Sequence, residues 1–344
     1  MHKITIHHQG GTPMNWTSVK NLLIAILVAA NLFLIYNVVR QERTRGYIDE
    51  NEIRGAVELL SKDGLTVGED KIPREKFKAP VYESIYSDEY YTEAAEALSG
   101  SKREMLYTLP EGGISITTED GSAFDFDTEF GFRYVSFDIS DASAYTDITA
   151  DNFYLFSKTK AEPVAKHLKN LSERAAEFLD KQLHGDDTLE AMIKASCYDA
   201  EKDITYLLAS QVLDGYEVYS HFAICVFEGE KLVYAHGRWY FADLDDKYST
   251  ELRDQVNILF TNLETLKEET LSPSGETGEN TGSDSDETKN IAPTTVSSIS
   301  PCYIIYWNSE KTSLFFIPAW QIDHIGDRTF VYNAANGTVY SSDQ

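Results

Sequence analysis

The chain has 344 residues, 56 Asp and Glu against 30 Lys and Arg, and a formal net charge of −26. That balance excludes binding to DNA or RNA, whose phosphates need a basic surface, and excludes a globular domain lying flat on anionic lipid. The 21 Tyr, 17 Phe and 4 Trp supply enough large apolar surface for a real core, so the chain reads as globular rather than disordered.

Leu22 to Val39 is an uncharged apolar run, preceded by Lys20 and followed by Arg40, Arg43 and Arg45. Eighteen helical residues rise about 27 Å, close to the ~30 Å of a hydrocarbon core. The run therefore predicts one transmembrane helix over 22–39, with residues 1–21 a short cytoplasmic segment whose alternative start is Met14. Val28, Ala29 and Ala30 resemble a signal-peptidase site, but the apolar run continues through Tyr36, which favours an uncleaved anchor. The flanking arginines favour a cytosolic carboxyl terminus, whereas large domains translocate largely regardless of charge. The expectation is a single-pass protein of the cell membrane with its domain outside the cytoplasm. Within the span, Ala25 and Ala29 lie four residues apart, Tyr36 continues that face, and Asn31 lies roughly opposite. Small residues and a buried amide are what a helix–helix contact in lipid uses, so these four are candidate interaction residues.

Two α+β units of antiparallel sheet packed with helices are expected beyond the span, over 40–150 and 151–344. In the first, helical spacing covers 49–62, a strand follows at 65–67, an Ala-rich helix lies at 93–98, and alternating strands occupy 113–117, 123–127 and 133–139. In the second, a long amphipathic helix runs from Pro163 to about Leu183. Strands follow at 205–213, 216–228 and 232–242, then a helix at 249–267. Residues 272–300 lack aromatics and carry almost no large apolar residue, which predicts a disordered acidic loop. Strands at 302–307, 313–317, 329–332 and 338–340 close the chain, with Asn336 and Gly337 as a hairpin turn.

No motif for a serine hydrolase, zinc protease, phosphate-binding loop or dinucleotide fold is present. Cys197, Cys225 and Cys302 are far apart and lack metal-ligand spacing; Cys225 reads as a small buried hydrophobe. His221 and His236 read as packed histidines. Asp125, Asp127 and Glu129 alternate, which in a strand places three carboxylates on one face and makes them candidate ligands for a hard cation. The plainer reading is a solvated acidic face alternating with Phe124, Phe126 and Phe130. In the tail, Pro318, Trp320, Ile322, Tyr332, Asn333 and Gly337 form a structural motif: a Pro/Trp strand followed by a hairpin.

The start from Met14 to Lys20 running directly into the apolar helix, together with the Pro318-x-Trp320-x-Ile322 and Tyr332-Asn333-Ala334…Gly337 tail, resembles the YycI-type regulatory proteins of the YycH/YycI superfamily. That resemblance implies an accessory protein that binds and modulates a sensor histidine kinase of a cell-wall-related two-component system. The contacts would run through the transmembrane helix and the outer domain, with a YycH-like paralogue as a further partner and the bilayer as a third. It implies no active site and no cofactor. A second reading is a PepSY-like extracytoplasmic module that binds a wall fragment, a peptide or a protease.

Overall fold

The computed structural model describes residues 20–21, 24, 26–35, 46–85, 89–110, 112–139, 142–161, 163, 165–180, 189–241, 244–268, 294–310, 312–325 and 328–340. Residues 20, 21, 24 and 26–35 are helical and exposed, and are called α1. Among the described residues no helix is long and apolar enough to cross a membrane. The membrane-spanning helix expected over 22–39 is therefore corrected, and single-pass membrane localisation has no support in the structure. Ala29 and Asn31 are exposed on α1, while Ala25 and Tyr36 lie outside the described residues.

Among the described residues six further α-helices and fourteen strands follow. They are α2 (Glu50–Lys62), β1 (Leu65–Val67), β2 (Val81–Ile85), α3 (Tyr90–Ser99), β3 (Arg103–Thr108), β4 (Ile114–Thr118), β5 (Ala123–Phe126) and β6 (Gly131–Val135). The second half adds α4 (Ala150–Ser157), α5 (Ala165–Leu179), β7 (Leu189–Asp199), β8 (Ile204–Leu213), β9 (Tyr216–Glu228) and β10 (Lys231–Arg238). The chain continues with β11 (Asp246–Tyr248), α6 (Gln255–Thr261), α7 (Leu263–Glu268), β12 (Thr294–Trp307), β13 (Ser313–His324) and β14 (Arg328–Asn333).

All fourteen strands join one α+β sheet. One wing runs β3-β4-β5-β6-β10-β9-β8-β7 and is antiparallel throughout. In the other, β12 and β13 form a long antiparallel pair; β2 and β14 share the outer edge of β13, and β11 extends β2. β1 and β9 pair with β12 in parallel, the latter at Tyr303 opposite Val218. The expected division into two helix-plus-sheet units at residue 150 is not what forms. β1 and β2 from the first half complete the wing built by β11 to β14, and β3 to β6 complete the wing built by β7 to β10.

The disordered loop expected over 272–300 also needs correction at its end. Thr294–Ser300 opens β12, with Val296 and Ile299 buried and Thr294 opposite Leu65. Here pairing with β1 and β13 and the burial of Val296 and Ile299 outweigh the polar composition. Residues 272–293 lie outside the described residues. The single helix expected over 249–267 is broken at Asn262, whose side-chain amide donates to Ile258 O at 3.0 Å and Gly337 O at 3.1 Å.

The largest core cluster packs α3 and α5 on one face of the antiparallel wing, and α4 covers the opposite face of β8 to β10. β8 is therefore buried along its whole length. A separate cluster holds α2, α6 and α7 against β1 and β12 to β14. Asp49 caps α2 by accepting the Asn51 N–H at 2.9 Å, which satisfies one of the helix's orphan donors. Beyond β10, Trp239, Tyr240 and Phe241 leave the sheet but stay buried, so their backbone needs partners. Tyr240 N–H donates to Gln211 Oε1 at 3.1 Å, Gln211 Nε2 donates to Tyr240 O at 2.6 Å, and Phe241 N–H donates to the Tyr90 hydroxyl at 2.9 Å.

Gly237 sits at φ +151, where a Cβ would lie 2.0 Å from Phe222 O and 2.8 Å from the Ala223 Cα. Both atoms are backbone in the paired strand β9, so neither can yield. Gly237→Ala is expected to destabilise the fold by about 2–4 kcal/mol. Gly55, exposed within α2, has nothing within 4 Å of where an added methyl would sit, and Gly55→Ala is expected to add about 0.5–1 kcal/mol. Urea unfolding of the two variants beside the parent measures both; equal midpoints for the pair would refute the backbone-contact argument.

Candidate binding surfaces

The three alternating carboxylates do not share a strand face. β5 ends at Phe126, so only Asp125 lies in the strand. Arg133 Nε donates to Asp125 Oδ2 at 2.7 Å. Asp127 lies at the surface and organises the hairpin, its Oδ1 accepting the Glu129 N–H at 2.8 Å and the Gly131 N–H at 2.7 Å. Glu129 pairs with Arg238 at 2.6 Å. Each carboxylate thus has a separate structural partner. Among the described residues no group of three or more His, Cys, Asp or Glu side chains is placed to hold a metal ion. Phe130 holds a left-handed backbone, φ +64, because its ring is locked against Trp307 and Tyr240 at 5.4 Å each.

The tail motif is core. Trp320 is buried and its Nε1 donates to Arg253 O at 2.9 Å; Ile322 and Tyr332 are buried beside it. Pro318 O accepts the Ala334 N–H at 2.9 Å. Asn333 Oδ1 accepts the Ala335 N–H at 2.8 Å and Gly337 N–H donates to Asn333 O at 2.8 Å, making a tight turn. The strand expected at 338–340 is reduced to one bridge, Tyr332 opposite Val339.

Cys197, Cys225 and Cys302 are free and buried. Burial pushes the Cys197 thiol up to about 11 and the Cys225 thiol up to about 12, so neither is a ready nucleophile. Burial holds His236 and His324 below their ordinary range. These groups serve packing.

Among the described residues two surfaces stand out. The first is β3, the outer strand of the antiparallel wing, every residue of which is exposed. Met105, Leu106 and Tyr107 are 43%, 42% and 56% exposed. Leu109 N–H donates to Gly113 O at 2.7 Å. Bonding alternates along an antiparallel pair, so Tyr107 and Met105 face β4 with their backbone groups, and Leu106 and Thr108 turn theirs outward. Sequence patterning does not reveal this strand, because Arg103 to Thr108 shows no period-two alternation.

The second is a cleft between 76–80 and 247–254, made of two adjoining cavities of about 580 and 900 Å³ that share Lys76, Phe77, Glu251 and Leu252. One wall is fixed where Lys76 N–H donates to Gly46 O at 2.8 Å and the Tyr303 hydroxyl donates to Pro80 O at 3.2 Å. The other is fixed where Arg253 N–H donates to Ala334 O at 2.7 Å and Arg253 O accepts the Trp320 indole. Its cations do not stand out in the sequence, because they come from segments about 170 residues apart. The chain matches no protein-family model, and no curated protein is significantly similar to it.

His221 offers a measurable consequence of this packing. It is buried, its Nδ1 lies 3.1 Å from Tyr219 O, and burial lowers its pKa from 6.5 to about 4. Between those values the unfolded chain takes up a proton that the folded chain refuses. Stability is therefore lost as pH falls from 6.5 towards 4, by about 3 kcal/mol in total. His221→Phe should flatten this part of the stability–pH curve, read from urea midpoints at pH 7, 5.5 and 4.5; parallel curves would rule His221 out as the source.

Proposed function

We propose that this chain is a non-catalytic accessory protein that acts by docking on another protein. The partner class, named by the resemblance to YycI-type regulators, is a sensor histidine kinase of a cell-wall-related two-component system. The observation that supports docking is β3. It carries three exposed apolar side chains and turns the Leu106 and Thr108 backbone groups to solvent. Such an edge is a template for an added strand, and monomeric proteins ordinarily blunt it with charge or cover. Arg103 and Glu104 lie at one end, leaving the centre apolar.

Leu106→Pro tests the reading. Proline at this position removes an outward-facing donor and leaves the bonds to β4 in place, so the fold should stand. The full chain is mixed with the sensor region of a two-component kinase from the same organism and co-elution is measured. The parent should co-elute, Leu106→Pro should bind about tenfold or more weakly, and the amides of Leu106 and Thr108 should gain exchange protection in the complex. Undiminished binding by Leu106→Pro would remove β3 from the interface. Failure of every such kinase to co-elute would remove the partner class.

A further inference from the structure

The cleft between 76–80 and 247–254 reverses the charge balance of the chain. Its lining holds Lys76, Lys78, Lys247 and Arg253 against Glu251 and Asp254. Asp254 is engaged, its Oδ1 accepting the Asn257 N–H at 2.8 Å as the cap of α6. On the neighbouring surface cations are paired: Arg54 with Glu69 at 3.7 Å, Lys71 with Asp70 at 3.3 Å and Arg74 with Glu50 at 3.3 Å. Among the described residues Lys76, Lys78, Lys247 and Arg253 pair with no carboxylate. Lys247 instead stands over the Tyr82 ring at 5.6 Å. In a chain with 56 acids and 30 bases, four basic side chains gathered without acidic partners in one rigid recess mark a place for an anion supplied from outside.

The layout narrows the anion. Glu251 stands at the junction of the two cavities, with Arg253 in one and Lys78 and Lys247 in the other. A carboxylate there repels a continuous run of phosphates but accepts an N–H. The recess is also lined by Phe77, Ala79, Pro80 and Leu252, which suit the carbon frame of a ligand rather than a bare ion. We propose that this cleft binds an extended acidic peptide segment of a partner protein, with carboxylates seated on either side of Glu251 and the peptide backbone donating to it. The site shares no residue with β3, so it stands or falls independently of the edge-strand docking.

The test uses the full chain and a labelled synthetic heptapeptide with glutamate at every second position, its glutamine counterpart, and inorganic tripolyphosphate as a competing anion. The glutamate peptide should bind and the glutamine peptide should not. Lys78→Gln with Lys247→Gln, and Lys76→Gln with Arg253→Gln, should each weaken binding about tenfold, whereas Lys62→Gln with Lys169→Gln, taken from surface pairs elsewhere, should leave it unchanged. Glu251→Gln should raise the affinity for tripolyphosphate more than that for the peptide. Equal binding of the two peptides, or equal loss in the control double variant, would overturn the proposal. Tripolyphosphate bound tightly at these residues with no peptide binding would overturn it in favour of a phosphorylated ligand. Unchanged near-ultraviolet dichroism in each variant separates loss of the site from loss of the fold.

Discussion

Strands β9 and β12 run in parallel for one residue pair, Val218 opposite Tyr303, and that contact makes one sheet of two wings. A lone ladder contact contributes about 0.5–1.5 kcal/mol, too little to hold two wings together. The aromatic packing around it supplies the rest. The Tyr303 ring is fully buried, 6.2 Å from Tyr82 and 6.5 Å from Phe77, and Phe77 in turn lies 4.8 Å from Tyr216 and 5.4 Å from Trp320. Burial raises the phenol's pKa far above its ordinary value, so the hydroxyl stays neutral and must donate; it donates to Pro80 O. The junction therefore fixes the segment from Phe77 to Pro80, which is one wall of the cleft. The shape of that recess is a consequence of how the wings are joined.

The opposite wall follows from the same cluster. Trp320 fills the core beside Phe77 and still has an indole N–H to satisfy, and Arg253 O is its acceptor. The backbone of residue 253 is held from the other side by Ala334, which lies in the turn that Asn333 builds. Pro318 to Gly337 thus acts as a frame. Its large rings bury apolar surface, and its leftover polar atoms position a cationic side chain at the rim. A buried donor left unmet costs about 1–3 kcal/mol, which is why these backbone positions are held so firmly.

Much of the local structure was legible in sequence. β9 spans the 216–228 expected of it, and α2 and α5 follow their apolar spacing. The tail residues Trp320 and Tyr332 are core, as large aromatics in strands suggest. What was not legible depends on distant partners. β2 is a strand because it lies against β13, more than 220 residues away, and β3 is one because β4 offers it an edge. The carboxylates Asp125, Asp127 and Glu129 looked like one set because strand spacing was extended through a turn; Asp127 ends the strand by capturing two N–H groups. The transmembrane expectation came from length and hydropathy over 22–39, whereas among the described residues no helix is long and apolar enough to cross a membrane.

Net charge describes this molecule poorly at short range. At physiological ionic strength fields fade over about 8 Å, so a ligand in the cleft responds to the four cations and Glu251 beside it and hardly to the acids elsewhere. A nucleic-acid duplex is different. It carries a charge roughly every 1.7 Å along its axis, and a recess of this size could neutralise only a short stretch while the rest faced an acidic surface. The overall charge thus screens out long polyanions, and the local arrangement selects among short ones. Glu251 sharpens that selection, since it is tolerable only to a ligand whose anions are spaced apart and whose backbone can donate between them.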